Sequence, residues 1–190
     1  MKPIFKILAA AALVTTLTAC DDDEIVAAIT GDVRILHTSP DAPPVNILFD
    51  GDSEIDALDY AESSGFEQIV VGEYKLEVEA IIPGGNLSVL TLDPLEIESD
   101  SRITALAVGK VEDGSLEILP VADSASDPAS NEVAVVVVHA SPAAGALGNV
   151  DVYVTAPGAA LENPITFGFK GIADAGAIPA GNYQVRITPA

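Results

Sequence analysis

Val33-Arg34-Ile35-Leu36-His37-Thr38-Ser39-Pro40 matches Val135-Val136-Val137-Val138-His139-Ala140-Ser141-Pro142, with the valine, histidine, serine and proline at the same places. Each is a short β-branched run that ends at proline, which cannot continue a sheet ladder. Each is followed by a loop and a second run, Val45-Asn46-Ile47-Leu48-Phe49 in one copy and Val150-Asp151-Val152-Tyr153-Val154 in the other. Gly72-Glu73-Tyr74-Lys75-Leu76-Glu77-Val78 then matches Gly181-Asn182-Tyr183-Gln184-Val185-Arg186-Ile187. The chain therefore reads as a tandem repeat, with the extra residues of the second copy falling in loops.

The spacing predicts strands over 32–38, 45–49, 66–71, 73–82, 87–92, 95–98, 102–111 and 114–120 in the first copy. Lys75 to Ala80 alternates charged and apolar, as a half-exposed strand does. Pro83-Gly84-Gly85-Asn86 and Asp113-Gly114 read as turns. Short strands separated by turns imply an all-β fold with tandem immunoglobulin-like β-sandwich domains. The expected units are 32–122 and 132–190, joined by the small, polar, proline-containing linker 123–131. The second copy reaches Ala190 soon after the strand containing Tyr183, whereas the first continues through about four more strands. Half a sandwich exposes an apolar face and bare edges. Either the polypeptide continues, which is the favoured reading, or another chain completes the fold by strand addition.

Upstream of the repeats, Lys2 and Lys6 precede an apolar run through Ile7, Leu8, Ala9 to Ala12, Leu13 and Val14. This is the order of a signal peptide, whose helix is too short to span a bilayer, since a span needs about 20 apolar residues. Leu17-Thr18-Ala19-Cys20 resembles the lipobox of bacterial lipoprotein precursors. That resemblance implies cleavage of 1–19 between Ala19 and Cys20, and a covalent lipid on Cys20. Cys20 is the only cysteine, so an intramolecular disulfide is impossible and lipidation accounts for an otherwise unpaired thiol. Residues 20–31 then form an acidic tether headed by Asp21-Asp22-Asp23-Glu24. The expected address is the bacterial cell envelope, anchored to a membrane by lipid, with inner and outer membrane both open.

Removing residues 1–19 takes away two of the eight basic residues and none of the 29 acidic ones, leaving a net charge of −23. Nucleic acid and anionic headgroups repel such a surface. Almost half the residues are hydrophobic, so the chain folds in spite of its charge.

The motif His-x-Ser-Pro-Asp-Ala-Pro followed by Val-x-Ile, the Gly-x-Tyr of Tyr74 and the run Ala105-Leu106-Ala107-Val108-Gly109 resemble the bacterial family known as domain of unknown function 4397. The second copy repeats the opening, with Ala143 where the first has Asp41. The resemblance implies exported proteins with tandem immunoglobulin-type sandwiches. It brings no activity, substrate or catalytic residues.

Within the motif, His37, Ser39 and Asp41 invite a hydrolase reading, because a base beside a nucleophile is the generic arrangement. His37 and Ser39 are two apart on one strand, on one face, and Asp41 is lost in the second copy, so the expectation is a structural knot of His37, Ser39 and Pro40, echoed by His139, Ser141 and Pro142. Tyr74 and Tyr183 read as core or corner residues. Two histidines and one lipidated cysteine make a zinc site unsuitable. Asp50, Asp52, Glu54 and Asp56 resemble the start of a calcium loop, but Ile55 stands where the invariant glycine belongs and Ala61 where the bidentate glutamate belongs. No catalytic set, resident metal or cofactor beyond the lipid on Cys20 is expected. The leading function is a non-catalytic binding, adhesion or spacer role towards an envelope protein or glycan. The alternatives are an envelope hydrolase and a calcium-stabilised, adhesin-like stalk.

Overall fold

The computed structural model describes residues 28–123 and 128–190. The expected signal peptide, Cys20, most of the expected tether and the middle of the expected linker lie outside the described residues.

Residues 30–122 form two four-stranded sheets packed face to face. The first sheet has the order β4-β1-β7-β8, from β1 (Thr30–His37), β4 (Glu67–Val70), β7 (Arg102–Val108) and β8 (Glu117–Ala122). The second has the order β3-β2-β5-β6, from β2 (Val45–Phe49), β3 (Asp52–Leu58), β5 (Gly72–Ile82) and β6 (Gly85–Ile97). All pairings are antiparallel except β1 with β7, which is parallel. Alternate residues of each strand meet in one core: Val33 and Ile35 from β1, Ile47 and Phe49 from β2, Leu76 and Val78 from β5. The fold is an all-β sandwich.

Four boundaries differ from the sequence reading. The acids from Asp52 to Asp56 lie in a strand, β3, rather than a loop. Asp50 and Gly51, at φ 52° and 92°, make the two-residue turn before it. Positive φ at both corners is what a tight hairpin between right-twisted strands demands, and Asp-Gly is the pair that tolerates it. β6 is one strand where two were expected, with Asp93-Pro94 inside it at a register shift. β7 and β8 are joined by an eight-residue loop, 109–116, not by a two-residue hairpin at Asp113-Gly114. β1 also begins at Thr30, two residues into the predicted tether.

β7 is buried on both sides, which explains its unbroken apolar run. Ile103 and Ala105 face the sandwich core. Leu106 and Val108 face outwards, where Val136, Val138, Ala140 and Phe169 cover them. These belong to residues 132–189, which form β9 (Glu132–Val138), the single-turn α1 (Pro142–Gly145), β10 (Val150–Thr155), β11 (Ile165–Phe167), β12 (Ile172–Pro179) and β13 (Gln184–Pro189). Here β12 pairs with β9, and the other sheet has the order β11-β10-β13. Lys170 reinforces the contact by donating to the Ser115 carbonyl at 2.7 Å and pairing with Glu117 at 3.2 Å.

The registers of the two halves correspond. Thr30 opposes Val70 as Glu132 opposes Pro179, and Val45 opposes Ala80 as Val150 opposes Pro189. Tyr74 donates its hydroxyl hydrogen to the Val70 carbonyl at 2.8 Å, and Tyr183 does the same to Pro179 at 2.8 Å. Coverage is what differs. Leu76 and Val78 are 1% and 2% exposed, whereas Val185 and Ile187, at the same register, are 59% and 64% exposed.

Candidate functional site: the histidine knot and the cleft between the halves

His37 closes β1, and its backbone is held by β7 and by the 59–64 segment: its N–H donates to Glu62 O and its carbonyl accepts from Ala61 N. The ring sits at 1% exposure and Ser39 at 0%. The Ser39 backbone N–H donates to His37 Nδ1 at 3.3 Å, so Nδ1 carries a lone pair and the neutral ring's hydrogen is on Nε2. Nε2 lies 3.1 Å from the Pro43 carbonyl and donates to it. The Ser39 hydroxyl turns the other way, donating to Asp41 Oδ1 at 3.2 Å. Among the described residues no hydrogen bond joins the Ser39 hydroxyl to the imidazole. The two side chains border a cavity of about 150 Å³ lined mostly by apolar residues, among them Val45, Val78 and Leu90.

Asp41 is the other half of this knot. Its two carboxylate oxygens accept the backbone N–H groups of Val111 and Glu112, both at 3.0 Å, and so pin loop 109–116 to the end of β1. These bonds, from Glu112 first and Val111 second, hold its carboxyl below the ordinary aspartate value. Asp113 is held low by the Ser115 hydroxyl and N–H within the same loop.

The second half repeats the ring but not the carboxylate. Ser141 N donates to His139 Nδ1 at 3.4 Å, and His139 packs edge-on to Phe167 and Phe169. With Ala143 in place of aspartate, the Ser141 hydroxyl instead accepts from Ala144 N and caps α1. Among the described residues no carbonyl of the longer loop or other group bonds His139 Nε2, which is buried.

The four acids considered for calcium do not converge. Asp50 accepts from the Lys75 N–H at 2.8 Å and Asp56 from the Ser53 hydroxyl at 2.7 Å, while Asp52 and Glu54 stand exposed along β3. Among the described residues no group of three or more His, Cys, Asp or Glu side chains is gathered as a metal would need.

A feature the sequence reading passed over is a cleft of about 860 Å³ between the outer face of the β1-β7-β8 sheet and β9. At its polar end the guanidinium carbons of Arg34 and Arg102 lie 4.4 and 4.2 Å from the centre of the Phe66 ring. Arg34 Nε donates to the Thr104 hydroxyl at 3.1 Å, and among the described residues no carboxylate pairs with Arg34. Arg102 lies 3.6 Å from Asp32 and 3.8 Å from Asp123. Parallel pairing of β1 with β7 puts Arg34 opposite Thr104, two rungs from Arg102. One isolated arginine in each run was the only sequence signal.

The class the fold defines is an all-β sandwich, here with buried motif residues and a cleft between its two halves. The chain belongs to the family described as domain of unknown function 4397, which matches residues 31–153. The match runs from β1 through the whole first sandwich into β10. No curated protein matches the chain.

Proposed function

We propose that this is a lipid-anchored protein of the bacterial cell envelope whose tandem sandwich units bind or space a partner without transforming it. The observation that carries the reading is the wiring of the repeated motif. His37 and Ser39 spend their polar atoms on the backbone and on Asp41, which is what a fold-closing knot needs and a nucleophile with its base cannot afford. The tandem organisation draws support from the shared registers, and the anchor from the lipobox at Leu17-Thr18-Ala19-Cys20.

Binding falls to the cleft. Its two guanidiniums and apolar walls suit a polypeptide segment with an acidic group beside apolar side chains. Phe66 already stacks against both arginines, so it offers a sugar no free aromatic platform; this favours protein over glycan. The test is a screen of the purified chain against ester and glycoside substrates, beside cross-linking in intact cells. The expected result is no turnover above the His37→Ala variant, and a cross-linked partner that is lost with Arg34→Glu. Turnover that His37→Ala abolishes contradicts the reading.

A further inference from the structure

At the His37 end of the first sandwich the cavity of about 150 Å³ is lined from both sheets. The β5-β6 hairpin forms one wall. Ala80 opposes Leu87 and Val78 opposes Leu90, so these four side chains share one face. Loop 109–116 adds Val111 and Leu116, and the buried His37 and Ser39 border the inner end. Both ring nitrogens of His37 and the Ser39 hydroxyl already have hydrogen-bond partners. At the mouth Ile82, Leu87 and Val111 are 40%, 54% and 51% exposed. Neither wall depends on what the cavity holds. Asp41 fixes the loop through the Val111 and Glu112 N–H groups, and the strand ladder fixes the hairpin. The space is therefore preformed, as ligand cavities usually are.

We propose that this cavity binds a hydrocarbon group of about six carbons, carried on a head group that is not anionic. Size decides the first part. An apolar cavity of about 150 Å³ stays dry and takes a guest as large as benzene. Polarity keeps the guest a hydrocarbon. A hydroxyl or carboxylate drawn inside would give up its water without gaining the donors that His37 and Ser39 have already spent. The head group therefore stays at the mouth, and there charge decides. Asp41 adjoins the lining residue Ala42, and Lys110, Glu112 and Asp113 share the loop with Val111. Asp41 and Asp113 are held below the ordinary aspartate value by the hydrogen bonds they accept, so both stay ionised at neutral pH. Three carboxylates outweigh one ammonium beside the mouth. An anionic head meets net repulsion there, and a neutral or cationic one does not. The site is separate from the arginine cleft, which suits the opposite charge.

Methyl NMR of residues 20–190 bearing Cys20→Ala, which need no detergent, tests this by titration with hexan-1-ol and with hexanoate. Saturable shifts are expected at the methyls of Val78, Leu87, Leu90 and Val111, half complete at about 1 mM hexan-1-ol. Hexanoate binds at least about threefold more weakly at low salt, and the gap narrows as salt is added. Ala80→Leu fills the cavity and weakens hexan-1-ol at least about tenfold. Leu87→Ser changes a side chain that is more than half exposed, so the fold survives it, and weakens binding about threefold. Arg34→Glu, which disables the cleft, leaves hexan-1-ol binding as in the parent. No saturable shift with hexan-1-ol overturns the proposal. So does hexanoate binding as tightly at low salt, or Ala80→Leu and Leu87→Ser both binding like the parent.

Discussion

Replacing His37 and His139 by phenylalanine, one at a time, separates the two halves of the repeated motif. In the first half the substitution removes two hydrogen bonds, from Ser39 N at 3.3 Å and to Pro43 O at 3.1 Å. It also strands the Ser39 N–H inside the protein, because Ser39 is fully buried. A lost bond costs about 0.5–1.5 kcal/mol and a buried group left without a partner about 1–3 kcal/mol, so His37→Phe is expected to destabilise by about 2–4 kcal/mol. For a sandwich of this size that lowers the melting temperature by roughly 10–25 °C. In the second half only the longer bond from Ser141 N is lost, and the partnerless Nε2 disappears with the ring. Phenylalanine also suits a site lined by Phe167 and Phe169. The two effects offset, and His139→Phe is expected within about 1 kcal/mol of the parent. Scanning calorimetry of both variants reads the difference. Equal losses, or a neutral His37→Phe, refute the assignment of His37 as the hydrogen-bonding closure of the first sandwich.

Asp41 adds a pH dependence whose sign follows from its lowered carboxyl pKa. Its contribution is fully present above the ordinary aspartate value near 3.8 and is lost as pH falls through that value towards the folded one, so acid unfolding of Asp41→Asn shows a shallower slope below pH 4 than the parent. Amide exchange at Val111 and Glu112 should quicken in the same variant, because their acceptor is weakened. Gly109→Ala should be among the most damaging single changes: at φ 105° a Cβ would run into the Ser115 carbonyl, and thermal unfolding should show a loss of about 2 kcal/mol or more. Adding calcium or a chelator should leave the melting temperature unchanged; a rise with calcium that Asp52→Asn removes would favour the calcium-stalk reading instead.

How much of this was legible beforehand follows from what each signal reports. The two His-x-Ser-Pro stretches and the alternation over Lys75 to Ala80 gave the strands and the sandwich, because burial on one face imprints a period of two. β3 escaped because its outward residues are acids, and charge on an edge strand looks like a solvated loop. The 109–116 loop escaped because its shape is set by Asp41, about 70 residues away in sequence, rather than by its own Asp-Gly pair. The outer-face packing of Leu106 and Val108 on Val136 and Val138 was present in the sequence as continuous apolar runs, but a run does not say what covers it. The cleft depends on two arginines brought to one phenylalanine by strand pairing, and no local pattern announces that.

The measurement that most directly tests the account as a whole is the intact mass and N-terminal peptide of the protein recovered from cell membranes. The account predicts a chain that begins at Cys20, carries the mass of a diacylglyceryl group on that residue, and leaves the membrane when Cys20→Ala is introduced. A chain that retains Met1, or one with a free thiol at Cys20, contradicts it.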